Sequence, residues 1–289
     1  MSHEEGAVST LVAADGTELA YHVIGEGEPL LCLPGGPMRA SAYLGDLGGL
    51  SKRRQLVMLD ARGTGDSGFP ADPATYRCDR QVDDVEALRE HFGWDSVDVL
   101  AHSAGGDLAI LYAARYPRRV RTLSLIAARA RALGVDFTVE HRREVLALRA
   151  AEPWFETARD AYEALWSGSA TDADFDAAVP FFYGRWDAAA RAHAAADVEQ
   201  SNESAADLFA SSGAFDPAAA RAAIAGWDAP VLVLAGELDG GPRPHVAADI
   251  VKLFPRAELA VQPDAGHFPW LDDPVSFTRT VTAFLAKGE

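Results

Sequence analysis

Three residues of this sequence, Ser103, Asp239 and His267, each sit just past an apolar run, in the order nucleophile, acid, base. A serine hydroxyl is a poor nucleophile at neutral pH and needs a neighbouring base to take its proton. Imidazole suits that task because its unperturbed pKa lies near about 6.5. A carboxylate then holds the ring in one tautomer and stabilises the imidazolium as it forms. Ser103 carries the strongest local signal, in the stretch SVDVLAHSAGGDLAILYAARYP at 96–117. Val97, Val99 and Leu100 read as a buried strand, and Leu108, Ile110, Leu111 and Tyr112 as one face of a helix. Between them the chain has about three residues in which to turn. A side chain at such a bend is thrust out at the carboxyl edge of a sheet. The pattern is small-x-Ser-x-Gly, with Ala101 and Gly105 expected to let strand and helix pass closely. No other serine has Gly two places on and Gly or Ala two places back.

Asp239 has two competitors for the acid, Glu237 and Asp264, the latter three residues from His267 and within turn distance of it. Among the histidines, His267 in a Gly-His-Phe turn is the candidate base. His102 precedes the serine and is expected to point elsewhere and serve structure, while His91, His141, His193 and His245 do not follow strands. Acyl chemistry also needs donors for a developing oxyanion. The N–H of Ala104, just after the nucleophile, is one candidate. The loop Pro34-Gly35-Gly36-Pro37 offers the other, at Gly36 with Gly35 as the alternative, since its prolines have no N–H.

The elements that must position these groups alternate along the chain. Ala7 to Ala14 and Thr17 to Ile24 read as strands around the hairpin signal Asp15-Gly16. Pro29 to Leu33, Gln55 to Asp60, Val97 to Leu100, Val120 to Ile126, Pro230 to Ala235 and Glu258 to Val261 supply six more. Helices are expected over Ala40 to Leu50, Cys78 to Phe92, Pro244 to Phe254 and Pro274 to about Lys287. Ala61 to Gly68, ARGTGDSG, fits no phosphate-loop spacing and reads as tight turns held by Asp66 and Ser67, with Arg62 bracing them onto the sheet. Strands alternating with helices imply a parallel sheet covered on both faces, whose ligand crevice lies outside the strands' carboxyl ends. From about Ala128 to Trp227 the rhythm changes to alanine-rich helix with dense aromatics, among them Trp154, Phe155, Tyr162, Trp166, Phe175, Phe181, Phe182, Tyr183 and Trp186. The expected organisation is a core of residues 1–128 and 227–289 with a helical cap at 129–226, most of its aromatics packing and a few lining a substrate pocket.

A net charge of −17 sets the chain against nucleic acid and anionic membrane surfaces as partners. Cys32 and Cys78, the only cysteines, lack metal-type spacing and read as core thiols of a reducing, cytoplasmic setting. MSHEEGAVST lacks the basic and apolar regions of a secretion signal, and no apolar stretch reaches membrane-spanning length.

Together the Gly-Gly-Pro loop at 35–37, Asp60-Ala61-Arg62-Gly63, Ala101-His102-Ser103-Ala104-Gly105, Gly236-Glu237-Leu238-Asp239 and Ala265-Gly266-His267 resemble an α/β-hydrolase-fold serine hydrolase. Within that superfamily the chain is similar to the proline iminopeptidase-like group. The resemblance implies an α/β-hydrolase fold: a mostly parallel eight-stranded sheet flanked by helices, with a helical cap between strands six and seven. It implies catalysis by Ser103, His267 and Asp239, with no metal or cofactor, on a small-molecule substrate. The chain departs from the group's patterns at Pro34, Met38, Ala101, His102 and Ala104. Family peptidases hold a free amine with acidic cap residues, for which Glu203 and Glu199 are the stand-ins here, and Phe182 and Trp186 are further candidates for substrate contact. The leading expectation is cleavage of an ester, lactone, thioester or amide of a mostly apolar small molecule. The alternatives are an aminopeptidase for N-terminal proline and a non-hydrolytic ligand-binding protein.

Overall fold

A computed structural model describes residues 8–288. Ala7, where the first strand was expected to begin, and most of the N-terminal stretch considered as a secretion signal lie outside the described residues. Eight strands form one sheet: β1 (Ser9–Val12), β2 (Glu18–Ile24), β3 (Pro29–Leu33), β4 (Gln55–Leu59), β5 (Val97–His102), β6 (Val120–Ile126), β7 (Val231–Gly236) and β8 (Ala257–Gln262). Their spatial order is β1-β2-β4-β3-β5-β6-β7-β8. Only the β1–β2 and β2–β4 pairings are antiparallel, so from β4 to β8 all carboxyl ends lie along one edge. β5, in the middle of the sheet, and β7, one strand in from its edge, are buried at every position, as expected of strands covered on both faces. At the margin, β8 leaves Leu259 and Val261 exposed.

Helices α1 (Cys78–His91), α2 (Gly105–Arg115), α3 (Val139–Arg149), α4 (Phe155–Ser167), α5 (Asp172–Ala178), α6 (Ala188–Ala195), α7 (Asp197–Gln200), α8 (Glu203–Phe209), α9 (Pro217–Ile224), α10 (Pro244–Val251), α11 (Pro269–Asp272) and α12 (Pro274–Leu285) complete the chain. No helix among the described residues is long and apolar enough to cross a membrane. Both cysteines are buried and free, and burial raises their thiol pKa values.

Two local expectations are corrected. Ala40 to Leu50 is not one helix but two short 3-10 turns, Ser41–Leu44 and Leu50–Lys52. Tyr43, Leu44, Leu47 and Leu50 have helical spacing and are buried, yet Gly45, Gly48, Gly49 and Leu47 itself take positive φ, which ends an α-helix. The turn at 61–68 is held by Asp60 and Ser67 rather than by Asp66. The Asp60 carboxylate accepts the N–H groups of Ser41 (2.7 Å) and Asp66 (3.0 Å), and the Ser67 hydroxyl donates to the Asp60 carbonyl (2.7 Å). Arg62 braces the turn onto α1 and the hairpin turn rather than onto the sheet, donating to both oxygens of Asp84 on α1 (2.8 and 2.6 Å) and to Asp15 between β1 and β2 (2.6 Å).

Between β6 and β7 every regular element is helical. The segment does not pack as one body. Val145, Phe155, Ala158, Ala161, Tyr162, Ala178 and Phe181 of its first part form a small core of their own. Ala205, Phe209, Ala220 and Ile224, from α8 and α9, instead join the main core beneath the sheet.

Candidate active site

β5 ends at His102, α2 begins at Gly105, and the residue between strand and turn, Ser103, has φ +52°. A non-glycine residue there costs about 1–3 kcal/mol and persists only where its surroundings dictate it. They do: the Ser103 N–H donates to the Ile126 carbonyl (3.1 Å), and its own carbonyl accepts from Gly106 (3.0 Å) and Arg129 (2.9 Å). A Cβ at Gly35 would lie 2.7 Å from the Ser103 Cβ, and one at Gly106 2.7 Å from that of Ala128. One at Gly105 would run into the Pro34 carbonyl. The glycine at 105 thus lets the start of α2 lie close against the end of β3, at the Leu33 carbonyl, and the loop that follows it.

His267 follows β8, and its Nε2 lies 2.9 Å from the Ser103 Oγ. Its Nδ1 lies 2.8 Å from Asp239 Oδ2, at the carboxyl end of β7. A carboxylate can only accept, so Nδ1 carries the proton and Nε2 is left to accept from the serine hydroxyl. The other oxygen of Asp239 accepts the Gly241 N–H at 2.6 Å, and the residue has no solvent exposure. The rival acids are elsewhere. Glu237 is exposed and accepts the Asp264 N–H (3.2 Å), and Asp264 occupies a left-handed turn.

The loop after β3 adjoins this group. The Gly35 N–H donates to the Tyr43 hydroxyl at 2.7 Å, which commits it. Gly36, at φ +113°, and Ala104 donate their N–H groups to no acceptor among the described residues. Ala104 caps the N-terminus of α2, where the helix dipole favours negative charge.

His102 does point away from the serine but does not stand apart from the site. Its Nε2 lies 2.8 Å from the His267 carbonyl, which can only accept, so Nε2 is protonated. Its Nδ1, 2.7 Å from the Tyr43 hydroxyl, is then the acceptor. A directed chain results: Gly35 N–H to Tyr43 O–H to His102 to the His267 carbonyl. Burial, reinforced by the neighbouring His267, holds the His102 pKa well below the usual histidine value and keeps the ring neutral. Sequence gave no sign of Tyr43, whose role depends on a hydroxyl reaching two distant loops.

These groups open into a cavity of about 480 Å³. Helical-segment residues Leu165, Trp166, Phe175, Val179 and Phe182 form its apolar side. Phe182 also accepts the His267 N–H through its carbonyl (2.7 Å). Of the other expected contacts, Trp186 and Glu203 are not on the cavity wall. Trp186 packs on Tyr183 with ring centroids 5.3 Å apart, and Glu203 is exposed at the first turn of α8, as is Glu199 on α7. Two arginines, Arg39 and Arg129, and two exposed acids, Asp176 and Asp197, line the cavity as well.

For metals, one group among the described residues comes close enough, His22, Asp60 and Asp66. The Asp60 oxygens are already taken there by Ser41 N–H, Asp66 N–H and His22, so the group reads as a turn brace.

The sheet order, the strained serine after β5 and the helices between β6 and β7 define a doubly wound hydrolase-like scaffold. The profile described as alpha/beta hydrolase fold matches residues 28–274, and the chain belongs to that family. Among curated proteins it is similar to the proline iminopeptidase of Saccharolobus solfataricus, 33% identical over 165 residues. That alignment takes in 56% of this chain and 51% of the relative, so the chain spans about half the length of the curated relative it matches. Among solved structures it is similar to the proline iminopeptidase of Mycobacterium smegmatis, with a TM-score of 0.73 at 24% identity over 97% of this chain and 98% of that one. It is also similar to an esterase from Exiguobacterium antarcticum, with a TM-score of 0.72 at 21% identity over 96% and 99%. These likenesses establish the shared fold.

Proposed function

We propose that the chain is a serine hydrolase that cleaves an ester, lactone, thioester or amide bond of a mostly apolar small molecule. The observation that carries this reading is the hydrogen-bonded line from Ser103 through His267 to the buried Asp239, beside two uncommitted N–H groups. Ser103 Oγ attacks the carbonyl carbon while its proton passes to His267 Nε2. The N–H groups of Gly36 and Ala104 stabilise the oxyanion, each worth about a hundredfold or more in rate. As the bond to the leaving group breaks, the imidazolium returns the proton to the departing atom, leaving Ser103 acylated. Water then gives a proton to Nε2 and attacks the acyl carbon, the bond to Oγ breaks, and Ser103 regains its proton. Helices α4 and α5 and the Val179–Phe182 turn roof the cavity and set the acyl groups it admits.

The likeness to proline iminopeptidases favours a second reading, cleavage of N-terminal proline. Asp176, rather than Glu203 or Glu199, is the acid on the cavity wall whose carboxylate has no partner among the described residues, since Asp197 there is paired with Arg39. A panel of p-nitrophenyl esters beside proline p-nitroanilide separates the two, and a fluorophosphonate probe tests what they share. Ester turnover with labelling at Ser103, lost in Ser103→Ala, is expected. Turnover of the anilide alone selects the peptidase, and absence of both turnover and labelling overturns the hydrolase reading in favour of ligand binding.

A further inference from the structure

The two arginines on the cavity wall differ in one respect. Arg39 is spoken for: it pairs with Asp197 at 3.0 Å, donates to Gln200 (2.9 and 2.8 Å) and lies over the Tyr43 ring. Arg129 is not. Among the described residues its guanidinium makes no ion pair and donates to no acceptor, and its only contact of note is the face of Phe137, 5.1 Å away. The carboxylates nearest in influence are Asp107, Asp136 and Asp239. Each is engaged elsewhere: Asp107 with the Ala132 N–H (2.8 Å), Asp136 with Arg131 (3.1 Å), Asp239 with His267 and Gly241. A guanidinium held partly out of water without a carboxylate, as this half-buried one is, is costly unless something pairs with it. Burial pulls the pKa of Arg129 down, as expected of a cation short of partners. The residue is fixed in place, since its N–H holds the Ser103 carbonyl at 2.9 Å.

We propose that Arg129 is an anion-recognition residue and that the substrate of the Ser103 site carries a carboxylate besides its scissile bond. The inference rests on the hydrolase reading for the word substrate, but the binding it describes does not. A planar guanidinium matches a carboxylate fork to fork. A single carboxylate suits one uncommitted cation, whereas a phosphate dianion would need a second, and the charge of Arg39 is already met by Asp197. The apolar wall from Leu165 to Phe182 then takes the carbon skeleton between carboxylate and reacting carbonyl.

The test uses matched chromogenic esters. One pair carries the carboxylate on the acyl side, the p-nitrophenyl monoester of glutaric acid against p-nitrophenyl valerate. The other carries it on the leaving side, 3-carboxy-4-nitrophenyl butyrate against p-nitrophenyl butyrate. In at least one pair the kcat/KM ratio of acid to neutral ester should fall about a hundredfold in Arg129→Gln, the scale of a lost buried charge pair, and be partly recovered in Arg129→Lys. Glutarate should raise the melting temperature of the native protein and of Ser103→Ala, and fail to do so in Arg129→Gln. Ratios unchanged by Arg129→Gln in both pairs, together with a glutarate shift that is absent or survives the substitution, overturn the proposal. If no ester is turned over and Ser103 is not labelled, the hydrolase reading falls, and the glutarate shift alone decides the role of Arg129.

Discussion

Asparagine at 239 tests the base directly, because the carboxylate has no acceptor to spare. One oxygen takes the His267 Nδ1–H at 2.8 Å and the other the Gly241 N–H at 2.6 Å, in a side chain with no exposure. An amide brings one oxygen and one NH2 to the same two places. With its oxygen on Gly241, its NH2 faces Nδ1, and the imidazole proton must move to Nε2, where it confronts the serine and cannot accept. The flipped amide keeps the useful tautomer but sets two donors against each other at Gly241, at about 1–3 kcal/mol. At about 1.4 kcal/mol per tenfold, that preference alone leaves roughly a sixth to less than a hundredth of the molecules competent. Loss of the charge that stabilises the imidazolium accounts for the remainder of the roughly ten-thousandfold seen in other triads, or about 5 kcal/mol. The assay is kcat/KM on a p-nitrophenyl ester near pH 7.5, with thermal unfolding recorded alongside. Glu237→Gln and Asp264→Asn, at exposed positions, should each cost less than about tenfold, the scale of one exposed hydrogen bond. A folded Asp239→Asn protein with near-normal turnover, beside a crippled Glu237→Gln or Asp264→Asn, would refute the reasoning.

Tyr43→Phe should leave the Gly35 N–H and His102 Nδ1 without partners and lower unfolding free energy by about 1–3 kcal/mol. It should also lower kcat more than it raises KM, as the loop bearing Gly36 loosens; a loss of stability with kcat untouched would show that the chain of hydrogen bonds does not reach the reaction. Asp107 predicts a pH effect on folding. Burial pushes its carboxyl from 3.8 up to about 6 despite the Ala132 N–H, so the stability it lends is complete below about pH 4 and lost as pH rises through about 6. Denaturant titrations should show a decline of about 2–3 kcal/mol across that window, flattened in Asp107→Asn, and an unchanged slope in that variant would remove Asp107 as the cause.

The strands were legible because β3 to β7 are apolar runs of the length a covered strand needs, and the meeting of Ser103, Asp239 and His267 followed from their shared place at strand ends. Ala40 to Leu50 misled because its hydrophobic spacing is helical while its glycines are not. Trp186 and Glu203 were expected at the cavity, but Trp186 lies in the loop before α6, where no periodicity marks an inward side, and the short α8 carries too weak a pattern to say which face turns inward. Tyr43 and Arg129 left no local trace. One acts by reaching two loops, and the other is distinguished by the absence of a partner, which only the assembled molecule reveals.

Arg129 N–H holds the Ser103 carbonyl, and the Phe182 carbonyl holds the His267 N–H, so the helical segment is tied to the nucleophile at its entry and to the base at its middle. Its last helices, α8 and α9, belong to the main core. A chimera that exchanged everything between β6 and β7 would therefore import foreign backbone into both ties and into the foundation of the sheet. A smaller exchange would run from α3 to Phe181, 139–181, which keeps the small core of Val145, Phe155, Tyr162 and Phe181 whole, provided that Tyr162, whose hydroxyl donates to the Gly240 carbonyl at 2.7 Å, and Arg149 are retained. Substrate range could be rewritten there, by recombination in the laboratory or over evolutionary time, with the geometry at Ser103 passing unaltered from parent to descendant.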